Sequence, residues 1–238
     1  MEITPDFFAL GLIWYVVFLF SVTLHEAAHA WAALRLGDST AYHGGQVTLN
    51  PGPHLAREPV GTVVLPLLSY GLMGWMMGWA SAPYDPVWAD RYPRRAAWMA
   101  LAGPVSNLAV AIVAGLALWW GLGSGFFAAP SGAFEFSRIV VAPAGGGAEG
   151  IAALLSILFA LNVLLFLFNL LPLPPLDGAS LLPLVLSEDA SRSYNAVMRQ
   201  PGYSLLGLVV AWKLFPSIFW PAMTFALGLV YSGLPSPG

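Results

Sequence analysis

Five stretches of the chain are nearly free of charge, and they decide what it can fold into. They are Phe7 to Leu24, Pro59 to Tyr84, Ala96 to about Gly121, Ile151 to Leu171 and Tyr203 to Leu234. At about 1.5 Å per residue, a helical run of this order crosses a hydrocarbon core of about 30 Å. Only 9% of the 238 residues are charged and 58% are hydrophobic, whereas soluble domains average about 25% charged. So few charges cannot cover a soluble globule, and the natural solvent is lipid. The expected fold is an all-α polytopic membrane protein, a single domain over residues 1–238.

The punctuation refines this. The first helix, 7–36, can continue past Leu24 to Leu36 before Gly37-Asp38 stops it. A polar, glycine-rich stretch, 42–58, follows. In it Gln46 to Leu49 alternates weakly like a short strand, with an ordinary loop as the other reading, and Asn50-Pro51-Gly52-Pro53 reads as a turn. Residues 59–84 are interrupted by Pro66 and Tyr70-Gly71, which suits a small re-entrant or β-hairpin element after the first helix better than a clean span. A helix over 96–121 is followed by a small-residue linker at 123–150. The helix over 151–171 is ended by Pro172-Leu173-Pro174-Pro175. Residues 203–234, interrupted by Lys213, Pro216 and Pro221, form one kinked helix or two short ones.

A net charge of −3, spread out, offers nothing to nucleic acid. With no cysteine, disulfides and thiolate metal sites are excluded, so any metal must be held by His, Asp or Glu. The N-terminus opens with Glu2 and Asp6 rather than a basic region, and its apolar run outlasts a signal sequence, so it reads as a retained membrane helix.

An ionisable group inside a spanning segment costs roughly 2.5–3.5 kcal/mol for Asp, Arg or Lys, which makes such groups functional candidates. The first helix carries three together, His25, Glu26 and His29, in the pattern H-E-x-x-H. Helical geometry puts the two imidazoles one turn apart on one face, where both reach a single ion, with Glu26 alongside near a bound water. A catalytic zinc usually takes three protein ligands and leaves one position open. Candidates for the third are His43, His54 and the acids near apolar segments. Asp177 stands out among these because it ends the run Asn169-Leu170-Leu171-Pro172-Leu173-Pro174-Pro175-Leu176-Asp177-Gly178. Taken locally, Asp-Gly also suits an ordinary turn.

These residues together resemble the site-2 protease family of intramembrane zinc metalloproteases, in its minimal bacterial form without PDZ or CBS domains. His25-Glu26-Ala27-Ala28-His29 is similar to its first motif, and Asn169 through Asp177-Gly178 to its second. Ala102-Gly103-Pro104-Val105-Ser106-Asn107 resembles a third, A-G-P-x-x-N. Thr48 to Pro51 with His54, and Gly78-Trp79-Ala80, resemble the minimal subgroup. The resemblance implies Zn2+ bound by His25, His29 and Asp177, Glu26 as general base, and a role for Asn169 near the substrate carbonyl. His54 is a further candidate to line the site. The chain departs from the pattern at Ala179-Ser180, where Gly-Arg is expected. It departs again in an acid displaced to Glu58, and in a long 123–150 linker.

Positive residues mark cytoplasmic loops. Arg35, Arg57, Arg91, Arg94 and Arg95 place 35–95 inside, and Arg192 and Arg199 do the same for 173–202, while 123–150 holds only Arg138 and falls outside. The first helix and the 151–171 helix then both run inward and deliver His25, His29 and Asp177 to one side. The expected function is a zinc-dependent endopeptidase of a cell membrane, in bacteria the cytoplasmic membrane. It would act on transmembrane protein substrates near the cytoplasmic face, with Gln46 to Leu49 as an edge for an extended substrate. A metal transporter or sensor using the same cluster, or an inactive helix-binding scaffold, are the other readings. Oligomeric state is left open by the sequence.

Overall fold

The fold is given by a computed structural model, which describes residues 4–198 and 200–234. Glu2 and Arg199 lie outside the described residues. Helix α1, Pro5–Leu36, opens on Thr4, whose hydroxyl accepts from the Phe7 N–H, with Pro5 in the first turn. It closes at Gly37, whose φ of 107° suits glycine alone. Two short helices follow, α2, Thr40–His43, and α3, Gly52–Arg57.

The expected strand at Gln46 to Leu49 does not form, and no strand is seen among the described residues. Side chains there compete for the backbone. The Gln46 N–H donates to the Ala41 carbonyl at 2.9 Å. Thr48 Oγ1 accepts from the Asn50 N–H at 3.0 Å, and Asn50 Oδ1 from the Gly52 N–H at 2.9 Å. Such local bonds favour turns over a ladder. The β-hairpin part of the expected architecture is therefore corrected to a helix with an extended return.

That element begins with a π-helical turn, Val60–Val64, which runs into α4, Leu65–Met73. Gly74, at φ 77°, reverses the chain. The Tyr70 hydroxyl there donates to the Phe7 carbonyl at 2.7 Å, beside the start of α1. Residues 75–85 return without regular structure. The Asp85 N–H then donates to Asp38 Oδ2 at 2.8 Å, so the excursion starts and ends at the same end of the bundle.

After α5, Pro86–Arg91, comes α6, Pro93–Gly123, which starts earlier than its apolar run because Pro93 serves the first turn and Arg94 and Arg95 extend it. Residues 124–146 are more than a linker. Ala128 and Val141 exchange backbone bonds at 2.9 Å, and Ser156 Oγ accepts from the N–H groups of Ile139 and Val140. Helix α7, Gly147–Asn169, leads to a 3-10 helix, Asp177–Leu184, and then to α8, Glu188–Met198. Last is α9, Pro201–Tyr231, a single helix despite Pro216 and Pro221.

Among the described residues four helices, α1, α6, α7 and α9, are long and apolar enough to cross a membrane. The first three form the central bundle, with α9 against α6 and α7. Lipid gives apolar faces no hydrophobic reason to associate, so close packing and polar contacts must hold helices together. Alanines serve the first need. Ala30 and Ala33 of α1, and Ala97, Ala100, Ala111 and Ala114 of α6, are buried. Leu12, Val16 and Phe20 of α1, and Leu205, Trp212 and Phe225 of α9, stay exposed, as faces turned to lipid should be.

Candidate metal centre

His25, Glu26 and His29 lie on the buried side of α1. Across from them α6 passes so closely that a Cβ on Gly103 would collide with the Nε2 atoms of both imidazoles. From the far end of the sequence, Asp177 heads its 3-10 helix. Gly178 beside it lies against the carbonyls of Leu170 and Leu171, where no side chain has room. The proline-rich turn thus folds Asp177 back under the end of α7.

Three donor atoms converge. His25 Nε2 and His29 Nε2 are 3.0 Å apart. Asp177 Oδ2 is 3.1 Å from the first and 3.3 Å from the second. Ligands about 2.0–2.1 Å from a tetrahedral ion stand about 3.3 Å from one another, so the triangle has the dimensions of three zinc ligands. The outer ring nitrogens agree. His25 Nδ1 lies 2.6 Å from Asn107 Oδ1, and His29 Nδ1 lies 2.8 Å from the Met99 carbonyl. Both partners only accept, so each Nδ1 carries the proton and each Nε2 turns its lone pair inward. Lone pairs converging from three sides repel unless a cation lies between them. The donor set therefore fits a divalent ion of zinc's preference, with two imidazoles and one carboxylate.

Glu26 lines a cavity of about 480 Å³ together with His29 and Asp177, and has no hydrogen-bond partner among the described residues.

A network that the sequence did not reveal stands behind His25. Asn107 Nδ2 donates to Asn162 Oδ1 at 2.8 Å, and Asn162 Nδ2 donates to Ser21 Oγ and to the Leu158 carbonyl, both at 2.8 Å. All three side chains are fully buried. One chain of amides thus links α1, α6 and α7 and sets the orientation of the first imidazole.

Comparison with known proteins now bears on this site. The family model described as Peptidase family M50 matches residues 13–209. The chain belongs to peptidase family M50, the site-2 proteases. A relative from Bacillus subtilis, named "Putative zinc metalloprotease YwhC", is 37% identical over 72% of this chain and 69% of its own. Mycobacterial relatives carry the name "Putative zinc metalloprotease Rip2". The one from Mycolicibacterium smegmatis is 30% identical over 79% of this chain and 62% of its own. The one from Mycobacterium tuberculosis is 30% identical over 85% of this chain and 70% of its own. No solved structure matches the chain.

Within the family frame, His25, Glu26, His29 and Asp177 come together, and two other sequence candidates do not join them. Asn169, the last residue of α7, donates its amide to the Leu165 carbonyl at 3.1 Å and does not line the cavity. His54 is buried, with Nε2 3.1 Å from the Thr48 carbonyl and Nδ1 unpartnered, and is likewise absent from the cavity wall. The exposed His43 turns its Nδ1 to the Ser39 carbonyl. One signal for the amide network was available: Asn162 sits in the middle of an otherwise apolar run, where a polar side chain needs a partner on a neighbouring helix.

Proposed function

We propose that the protein is a zinc-dependent endopeptidase of the cell membrane that cleaves transmembrane proteins near the cytoplasmic side. The observation that carries this is the meeting of His25, His29 and Asp177 within 3.3 Å, with Glu26 free of partners among the described residues and lining one cavity with His29 and Asp177. His25, His29 and Asp177 would hold the zinc, which would supply Lewis-acid polarisation of the scissile carbonyl and a lowered pKa for the attacking water. Glu26 takes the proton of that water and later passes it to the leaving amine. His25 and His29, fixed by Asn107 and Met99, keep their Nε2 atoms aimed at one point, so little rearrangement accompanies the reaction.

A transmembrane helix hides its peptide bonds and must be held unwound. Ala80 to Tyr84 line the cavity, lie outside regular structure and make no backbone hydrogen bond among the described residues. This segment, in place of Gln46 to Leu49, is the edge that accepts an extended substrate through main-chain bonds. In the membrane, both the 35–95 region and the 173–198 region face the cytoplasm, and 59–84 enters and leaves from that side.

The other half of the bundle argues against transport. Phe136 packs between Trp14, Trp75 and Phe219, so aromatic rings fill the part of the bundle that a transported ion would have to pass. The test is purified protein with a model transmembrane substrate. Glu26→Gln is expected to keep stoichiometric zinc and lose cleavage, and Asp177→Ala to lose both. Cleavage by Glu26→Gln at near the wild-type rate refutes the assignment, as does full zinc retention by Asp177→Ala.

A further inference from the structure

Two carboxylates that the chemistry does not use, Glu58 and Asp38, hold the two ends of the segment that lines the cleft. We propose that both are positioning residues for substrate, fixing residues 79–85 as a rigid edge beside Glu26. This deepens the peptidase reading and rests on it.

The stretch Ala80 to Tyr84, whose C=O groups and N–H groups (Pro83 has none) are unpaired within the described backbone, has no internal reason to stay extended, since ordering each residue costs about 1–2 kcal/mol. The restraints lie at its ends. At the near end the Trp79 N–H donates to the Gly61 carbonyl at 3.1 Å. The Trp79 ring N–H donates to Glu58 Oε2 at 3.3 Å, and the Ser81 hydroxyl to Glu58 Oε1 at 2.6 Å. Both carboxylate oxygens are thereby used. Arg57 Nε donates to the same hydroxyl at 3.2 Å, which fixes its direction. Gly61 and Gly78 meet backbone to backbone, with no room for a Cβ on either. The return chain is thus laid directly on the π-helical turn.

At the far end Asp38 Oδ2 accepts from the Asp85 N–H at 2.8 Å, while Oδ1 accepts from the N–H and hydroxyl of Thr40. Asp85 in turn caps α5 by accepting from the Val87 N–H at 2.8 Å. Neither Glu58 nor Asp38 lines the cavity, whereas Ala80 to Tyr84 do. The bonds at both ends are charge-assisted, stronger than neutral ones, and they leave the intervening main chain free to pair with an extended peptide. In an unanchored segment, each substrate would have to order the edge itself and would lose affinity by that amount.

The test uses the full chain, which has no native cysteine. Glu58→Ala, which removes the bonds from both Trp79 and Ser81, is expected to raise KM for a transmembrane substrate at least about tenfold, with kcat and zinc content nearly unchanged. Ser81→Ala should raise KM by less, since the Trp79 bond to Glu58 remains, and the double variant should add little to Glu58→Ala, which already lacks the Ser81 contact. Glu58→Gln, which keeps one acceptor, should restore part of the loss and serves if Glu58→Ala does not fold. A second arm needs no turnover. In the Glu26→Gln background, Ala82→Cys is cross-linked by a short bis-maleimide to a substrate carrying one cysteine next to the cleaved bond. The yield is expected to fall when Glu58→Ala or Asp38→Asn is added. Wild-type KM and undiminished cross-linking in both variants overturn the proposal. Zinc-loaded wild type that cleaves nothing, with cross-linking still dependent on Glu58, overturns the peptidase reading and supports the positioned edge.

Discussion

Asn107 shows how much a metal site in lipid depends on residues that never touch the ion. Its Oδ1 fixes the tautomer of His25, and its Nδ2 continues the chain to Asn162 and Ser21. Asn107→Ala leaves the His25 Nδ1–H and the Asn162 carbonyl unpaired where no bulk water reaches. Each unpaired group costs about 1–3 kcal/mol, and losing such an outer partner typically weakens metal binding about 10–100-fold. The expected result is zinc released to a competing chelator at correspondingly lower chelator concentration, with helicity kept. Unchanged zinc affinity in Asn107→Ala would separate the amide network from the metal centre. His25, Glu26 and His29 were legible in the sequence because their spacing is itself the geometry of one helical turn. Asp177 needed the resemblance, since nothing local distinguishes it from a turn aspartate. Asn107 was visible as part of a motif but without a role, and Asn162 only as a stray amide.

Among the elements, the charge-free runs gave the four long helices, because a run of about twenty apolar residues has few other solutions in a bilayer. Their ends were less legible. Pro93 starts α6 ahead of its apolar run, and α7 begins at Gly147 rather than at Ile151. The weak alternation at Gln46 to Leu49 misled because Thr48 and Asn50 close turns with their side chains. The return from α4 was not readable as an extended edge, since it is held by tertiary bonds to Gly61, Glu58 and Asp38 rather than by its own pattern. Asp38 also makes this element sensitive to acid. Burial raises its pKa, but the bonds from Thr40 and the Asp85 N–H more than offset this and lower it below 3.8, the ordinary value. A depressed carboxyl stabilises the fold above its unfolded pKa and loses that contribution as pH falls through the folded value. Melting temperature in detergent, followed from about pH 6 to pH 3, should therefore fall more steeply for wild type than for Asp38→Asn. Asp38→Asn should itself be less stable at neutral pH by about 1–3 kcal/mol. Parallel curves for the two proteins would remove Asp38 from the acid response.

For the whole molecule, the decisive feature is which side each connection occupies. The arginines between residues 35 and 95 argue that everything from the end of α1 to the start of α6 lies on the cytoplasmic side. The structure offers a separate reason for part of this, since Asp38 and Asp85 are bonded to each other and an excursion between them cannot end on the opposite face. On the proposed topology, with α1, α6, α7 and α9 as crossings, the start of α1 and the end of α9 would lie outside, and the metal ligands of α1 and of the turn after α7 would share the inner half. A full span at 59–84 would instead put α5 outside and separate it from Asp38 by the bilayer. Single cysteines in this cysteine-free chain distinguish these topologies. Ser39→Cys and Val87→Cys, at exposed positions flanking the excursion, should both react with an impermeant maleimide only in inverted membrane vesicles. Ser124→Cys and Ser232→Cys, following α6 and α9, should react only in right-side-out vesicles. Labelling of Val87→Cys from the side opposite to Ser39→Cys would rule out the re-entrant path. It would also remove Ala80 to Tyr84 from the cytoplasmic cleft and the proposed substrate edge with them.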